Sequence, residues 1–182
     1  MDGPFYVDSR APHLSADAAS VTLSTTNKAL VPVANLPALG SNYFGWVGKA
    51  VRLTMFGRIT TAATPGNGTF ALMYGNGADA NGTAVGTSPA FTLIANQTNL
   101  SWRLELVCRC RAMGATGSLF VTGQINFNTA VVAAGFGLIP ASTPAAVTVD
   151  LTAASVLSPQ FLRSGSTAET MQVHDFLFEA LN

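Results

Sequence analysis

The sequence has few charged residues. Only 10% of its 182 residues are Asp, Glu, Lys or Arg, compared with about 25% in an average soluble domain. Nine basic residues balance nine acidic ones, which argues against nucleic acid as a partner, because phosphate-binding proteins carry an excess of Lys and Arg. A surface made mainly of small polar residues and Ala, without net charge, favours association with other protein subunits.

Residues that bind metals or perform catalysis are also scarce. The chain has two histidines, His13 and His174, and two cysteines, Cys108 and Cys110. Two distant imidazoles cannot form a local paired-histidine metal site, and the polar loop at 76–82 lacks the closing glutamate of a calcium loop. No nucleophile elbow or phosphate-binding glycine motif occurs. We therefore expect no metal, no cofactor and no enzymatic activity.

Long apolar runs are absent as well. No stretch approaches the roughly 18 apolar residues of a transmembrane helix, and the acidic, polar start of the chain does not resemble a signal peptide. We expect no membrane partner and synthesis in the cytoplasm. The length suits one domain with its own hydrophobic core.

Strict alternation of apolar and polar residues dominates the chain after residue 20. In the segment 99–112, Trp102, Leu104 and Leu106 fall on one face together with both cysteines, while arginines fall on the other. Such a period of two predicts a strand with one buried face. The segment 49–61 has the same pattern, with Leu53 and Met55 on its apolar face. We expect these residues to meet across a sandwich core.

Further alternating segments predict a fold made only of strands. They are interrupted by Gly, Pro and Asn turns, and a short helix is predicted only near Leu36–Phe44. Some eight strands without interleaved helices favour an antiparallel β-sandwich, and the jelly roll is its natural eight-stranded form. The other predicted strands lie at about 20–33, 68–75, 90–96, 117–127, 146–152 and 169–181.

Residues 1–19 differ from the domain predicted at 20–182. They contain Pro4 and Pro12, which favour extended backbone, and show no sustained alternation. One interpretation is a frayed terminus. The other is an extended N-terminal arm that docks on a neighbouring subunit through its apolar tip, whose residues are Phe5, Tyr6 and Val7.

Five of the nine basic residues lie on the polar faces of the two clearest strands. As solvated side chains they need no explanation. As part of an interface they suit bidentate contacts with carboxylates, since arginine has a planar fork of donors. Phe56 and Val107 share these faces, which favours the interface. The candidate interface arginines are Arg52, Arg58, Arg103, Arg109 and Arg111.

Three segments of the chain resemble small structural proteins of tailed bacteriophages. The first comprises Asn42–Phe44 followed by Val47–Leu53, and the others are Leu100–Cys110 and Val173–Glu179. The resemblance covers most of the chain after about residue 20. It implies a jelly-roll decoration, or cement, protein on the capsid surface of the virion. Such a protein would form a homotrimer and bind the major capsid protein. The alternative is a tail-associated jelly-roll module that binds a receptor or a carbohydrate.

Overall fold

The computed structural model describes residues 16–132, 135–165 and 167–181. These residues form β-strands joined by turns and loops, with one short 3-10 helix at Val33–Asn35. The strands are β1 (Val21–Thr22), β2 (Lys28–Ala29), β3 (Ala50–Thr60), β4 (Asn67–Gly75), β5 (Thr83–Thr87), β6 (Phe91–Thr92), β7 (Leu100–Ala112), β8 (Gly117–Phe127), β9 (Phe136–Ile139), β10 (Val147–Val149), β11 (Val156–Arg163) and β12 (Thr170–Ala180).

The strands form two antiparallel sheets that pack face to face. The large sheet has the order β1-β12-β3-β7-β8-β10, with β9 also paired to β8, and the small sheet has the order β2-β11-β4-β5, with β6 also paired to β4. Eight of these strands follow the jelly-roll path: β1, β12, β3 and β7 face β2, β11, β4 and β5. The predicted jelly-roll sandwich is therefore confirmed, and β6, β8, β9 and β10 extend it.

The alternation in β3 and β7 arises because each strand turns one face to the core. Trp102, Leu104 and Leu106 are all buried, as predicted. Leu104 lies opposite Met55, and Leu106 lies opposite Leu53, because β3 and β7 are neighbours in the large sheet. The prediction that these pairs meet across the sandwich was therefore wrong.

The two sheets contact each other through aromatic side chains. The ring centroids of Phe127 on β8 and Phe161 on β11 are 6.2 Å apart in an edge-to-face arrangement, a geometry that aromatic pairs prefer. Glycines allow the sheets to approach closely at other points. A Cβ atom on Gly86 of β5 would lie 2.8 Å from a methyl group of Val121 on β8.

The predicted helix near Leu36–Phe44 does not form. The chain instead makes its 3-10 turn at Val33–Asn35 and becomes extended at Leu36, with φ −86° and ψ 137°. The reason is Pro37, because a proline ring disfavours helical backbone in the residue before it. Leu39 then forms a β-bridge with Ser155.

Strand β11 shows no alternation in sequence because it is covered on both faces. A loop between β4 and β5 lies over it: the Gln160 side-chain amide donates to the Ala78 carbonyl (2.9 Å), and the Ala80 N–H donates to Gln160 Oε1 (3.0 Å). Pro159 lies within the strand and uses its carbonyl to accept from the Leu30 N–H (3.0 Å). The sequence therefore did not predict this strand.

Both cysteines are buried free thiols on β7. Burial raises the pKa of the Cys108 thiol, and burial also raises the pKa of the Cys110 thiol. The reactive thiolate is therefore disfavoured at neutral pH. This arrangement agrees with the predicted inward orientation of both side chains.

We expect thiol-reactive probes to label the native protein slowly, since the thiols are both buried and protonated. A Met113→Cys variant supplies the control, because Met113 is exposed in the turn that follows β7. The measurement is the labelling rate under native conditions. Labelling of Cys108 or Cys110 as fast as that of the introduced cysteine would contradict this prediction.

Candidate protein-interaction face

The outward surface of the large sheet gathers all five predicted interface arginines. We call it the arginine face and define it as the outward side chains of β3, β7, β8, β9 and β12. Arg52, Arg103, Arg109 and Arg111 are exposed, and Arg58 is half-buried. The other predicted interface residues, Phe5, Tyr6 and Val7, lie outside the described residues.

Three of the arginines are held by neighbours on the same face. Arg52 on β3 lies opposite Glu179 on β12, with 3.6 Å between guanidinium and carboxylate. Arg103 pairs with Glu105 two residues along β7 at 2.5 Å, and Arg58 Nε donates to Gln172 Oε1 at 2.8 Å.

The exposed ion pairs of the arginine face contribute little to folding, because water screens them and the long side chains lose freedom on pairing. The guanidinium groups of Arg52 and Arg103 remain about half exposed in these pairs, so they can also contact another protein. Arg109 differs, since its side chain has no ion-pair or hydrogen-bond partner within the described part of the chain. Arg111 lies over the Phe120 ring, with 4.8 Å from its guanidinium carbon to the ring centroid.

Large apolar side chains lie among these charges. Phe56, Phe136 and Leu138 are 47%, 53% and 60% exposed. Strand pairing puts two of them in one row across the sheet, because Phe56 lies opposite Arg103, Arg103 opposite Asn126, and Asn126 opposite Phe136. An exposed face that combines aromatic and arginine side chains is typical of the central part of protein interfaces.

An open groove of about 630 Å³ lies in the middle of the arginine face. It runs between β7 and β8 and is bordered by Arg52, Val107 and Leu138. Gly123 lies in its floor, where a Cβ atom would be 2.0 Å from the Glu105 carbonyl oxygen. The close pairing of β7 with β8 in the floor of the groove therefore requires glycine at this position. Its complete lining is Arg52, Glu105, Leu106, Val107, Thr122, Gly123, Gln124 and Leu138.

Sequence reasoning missed Phe136 and Leu138 as members of this face. They belong to β9, which has only four residues. No local sequence pattern shows that β9 pairs with β8, or in which register. The one available signal was the spacing Phe136-Gly-Leu138, which puts two large apolar side chains on one face of a short strand. A second exposed apolar pair, Trp46 and Val47, lies in the loop before β3.

No group of three or more His, Cys, Asp or Glu side chains lies together in the described residues. His174 instead pairs with Asp17, with 2.8 Å between Nδ1 and the carboxylate. Asp79, in the polar loop at 76–82, accepts from the Ala29 N–H (2.8 Å) and from Lys28 Nζ (2.7 Å), which ties that loop to β2.

Within the described residues, no helix is long and apolar enough to cross a membrane.

Comparisons with known proteins add little to this geometry. No protein-family model matches the sequence, and no curated protein matches it. One similar solved structure belongs to botulinum neurotoxin type C, whose cell entry depends on interaction with two ganglioside molecules. The identity is 9% and the TM-score 0.36, over 92% of this chain and 44% of that chain.

Two further solved structures are similar at the same low level. One is the CBM2 module of an evolved Dit from Lactobacillus casei BL23 phage J-1, with 14% identity and a TM-score of 0.30 over 79% of this chain and 66% of that chain. The other is the binding domain of botulinum neurotoxin serotype D/C VPI 5993, with 11% identity and a TM-score of 0.33 over 92% and 46%. This chain spans less than half of the two toxin chains. Such scores carry no conclusion about ligands or partners.

Proposed function

We propose that this chain is a non-enzymatic structural protein of a tailed-bacteriophage virion. In this proposal it is a decoration protein that associates with itself as a homotrimer and binds the major capsid protein on the head surface. The observation that carries the proposal is the arginine face, on which exposed Phe56, Phe136 and Leu138 lie among five arginines. The resemblance of 42–44, 47–53, 100–110 and 173–179 to phage structural proteins supports the choice of particle.

The composition of the face supports a protein partner over solvent. Charged residues are only 10% of the chain, yet five of them are arginines on one sheet surface. Arginine, phenylalanine and tyrosine are enriched in interfaces, whereas lysine is depleted, and the arginine face contains no lysine among its described strand residues. The groove at its centre, lined by both polar and apolar residues, gives a partner side chain a place to be buried.

Such a protein would stabilise a capsid by mass action. A ligand that binds only the assembled lattice stabilises it by its binding free energy at each site. Many copies on one particle would multiply this effect without any chemical step. This mechanism requires a folded module with a surface that can contact the lattice, and in this proposal the arginine face is that surface.

Arg109 provides the test, because it is the arginine without a partner in the described part of the chain. If it meets a carboxylate of another subunit, Arg109→Ala should weaken binding to undecorated particles by about 2–5 kcal/mol, and more salt should reduce the difference. Lys28→Ala is the control, since Lys28 is a cation of the small sheet paired with Asp79. The measurement is competitive binding at two salt concentrations.

Parent-like binding of Arg109→Ala at both salt concentrations would contradict the interface. So would an equal loss of binding in the Lys28→Ala control, because that result would indicate a general charge effect.

One observation favours the carbohydrate-binding alternative. Trp46 is 48% exposed in the loop before β3, and Tyr43 lies nearby. Lys49 Nζ is 3.9 Å from the Tyr43 ring centroid and 4.5 Å from the Trp46 ring. Exposed aromatic rings on a loop can stack on a ligand, but the ammonium group of Lys49 already covers part of both rings. This cluster is therefore the weaker candidate.

A further inference from the structure

We infer that the arginine face binds residues 1–15 of a second copy of this chain. The inference rests on the self-association in the proposed function and names the segment that carries it. It combines three observations: where the described chain begins, how far fifteen residues reach, and how the segment's side chains match the face.

The described chain begins at one edge of the large sheet. The Ala18 N–H donates to the Val173 carbonyl (2.9 Å), and the Gln172 side-chain amide donates to the Ala18 carbonyl (2.9 Å). The Asp17 carboxylate is 2.8 Å from His174 Nδ1. These contacts continue the antiparallel pairing of β1 with β12. Towards residue 16 the chain therefore runs along β12 in the direction of Glu179, and not across its own sheet.

The length of the segment is sufficient to reach a neighbour. Fifteen extended residues span about 50 Å, whereas the five strands from β12 to β9 span about 19 Å at the usual strand spacing. Pro4 and Pro12 favour an extended segment. The segment leaves along the edge strand, so it would have to turn back to cross its own arginine face. It can reach a second copy without such a turn, and we therefore favour a second copy as the binding partner.

The side chains of the segment match those of the face in spacing. Asp2 and Asp8 are six residues apart, and on β7 the exposed Arg103 and Arg109 are also six residues apart, about 20 Å in extended backbone. Two carboxylates of an extended segment can therefore meet two arginines at once.

An aromatic residue of the segment falls where the groove lies. Side chains of an extended segment alternate between two faces, so Tyr6 shares a face with Asp2 and Asp8, four residues from the first and two from the second. A segment that pairs its carboxylates with Arg103 and Arg109 therefore brings Tyr6 over Val107 in one direction and over Glu105 in the other. Both of these residues line the groove.

Charge reversal in the full-length chain tests the inference. The arm-reversed variant carries Asp2→Lys and Asp8→Lys, and the face-reversed variant carries Arg103→Glu and Arg109→Glu. We expect the parent to self-associate and each reversed variant to do so at least about tenfold more weakly. A variant that carries all four changes should recover association, because in every copy the reversed arm then meets a reversed face of opposite charge.

Sedimentation equilibrium measures the association constants, and thermal melts check that every variant is folded. Asp150→Lys is the control, since Asp150 is an exposed acid before Leu151, outside the arginine face, and it should associate like the parent. Parent-like association of the arm-reversed variant overturns the inference, and so does a folded variant with all four changes that does not recover association. A parent that stays monomeric also overturns it.

Particle binding separates this inference from the proposed function. If the parent binds undecorated particles while arm reversal leaves self-association unchanged, only the inference fails. If the parent does not bind the particles at all, the proposed function fails, whatever the association constants show.

Discussion

Replacing Glu169 with alanine is expected to lower the free energy of unfolding by about 3–5 kcal/mol. Its carboxylate is 2.7 Å from Arg163 Nε, with the two side chains 0% and 10% exposed respectively. The Nε–H is directed to the Leu23 carbonyl at 3.1 Å, so the contact with Glu169 Oε2 is mainly an ion pair. The Thr167 hydroxyl donates to the other carboxylate oxygen. Removing the carboxylate leaves a buried guanidinium without a counter-charge.

Urea unfolding of Glu169→Ala and of a matched control measures this effect. Glu179→Ala is the control, because its ion pair with Arg52 is exposed and should contribute no more than about 1 kcal/mol. A double replacement, Arg163→Met with Glu169→Leu, should recover much of the loss, since it removes both buried charges. Equal effects of Glu169→Ala and Glu179→Ala would show that the buried pair does not stabilise the fold as proposed.

Replacing Leu104 with alanine is expected to cost about 2–5 kcal/mol, because it deletes buried methyl groups and leaves a cavity. Leu104 is 0% exposed and lies between Met55 on β3 and Ile125 on β8. All three side chains belong to the inward face of the large sheet, which limits how far the site can collapse.

Val107→Ala is the control for Leu104→Ala, because Val107 lies three residues along the same strand but on the outward face. It should change stability by less than about 1 kcal/mol. The comparison uses thermal or urea unfolding of both variants. A melt of Leu104→Ala that matches the parent would show that the inward face of β7 has been assigned incorrectly.

The sequence predicted the parts of the fold in which a strand has one buried and one open face. Strands β3 and β7 are of this kind, and their alternation placed five arginines on the outward side correctly. The strands it missed lack that contrast. Strand β11 is covered by the loop that Gln160 holds, β5 contains Gly86 at a close approach of the sheets, and β9 has four residues.

Pairing between strands explains why the candidate site was predicted only in part. Alternation gives the face of each side chain but not which strands are neighbours. The predicted contact of Leu53 with Leu106 was correct as a contact and wrong as a contact between sheets. For the same reason Phe136 could not be placed beside Asn126. The role of Phe5, Tyr6 and Val7 stays a prediction.

The copy number of this chain in purified virions tests the proposed function most directly. A decoration protein on the capsid lattice should be present in numbers comparable with those of the major capsid protein. The measurement is quantitative mass spectrometry of intact particles, with the major capsid protein as the internal standard. A copy number near that of the capsid subunit is the result we expect. A handful of copies would contradict the proposal and favour a tail-associated binding module, and absence from the particle would contradict both.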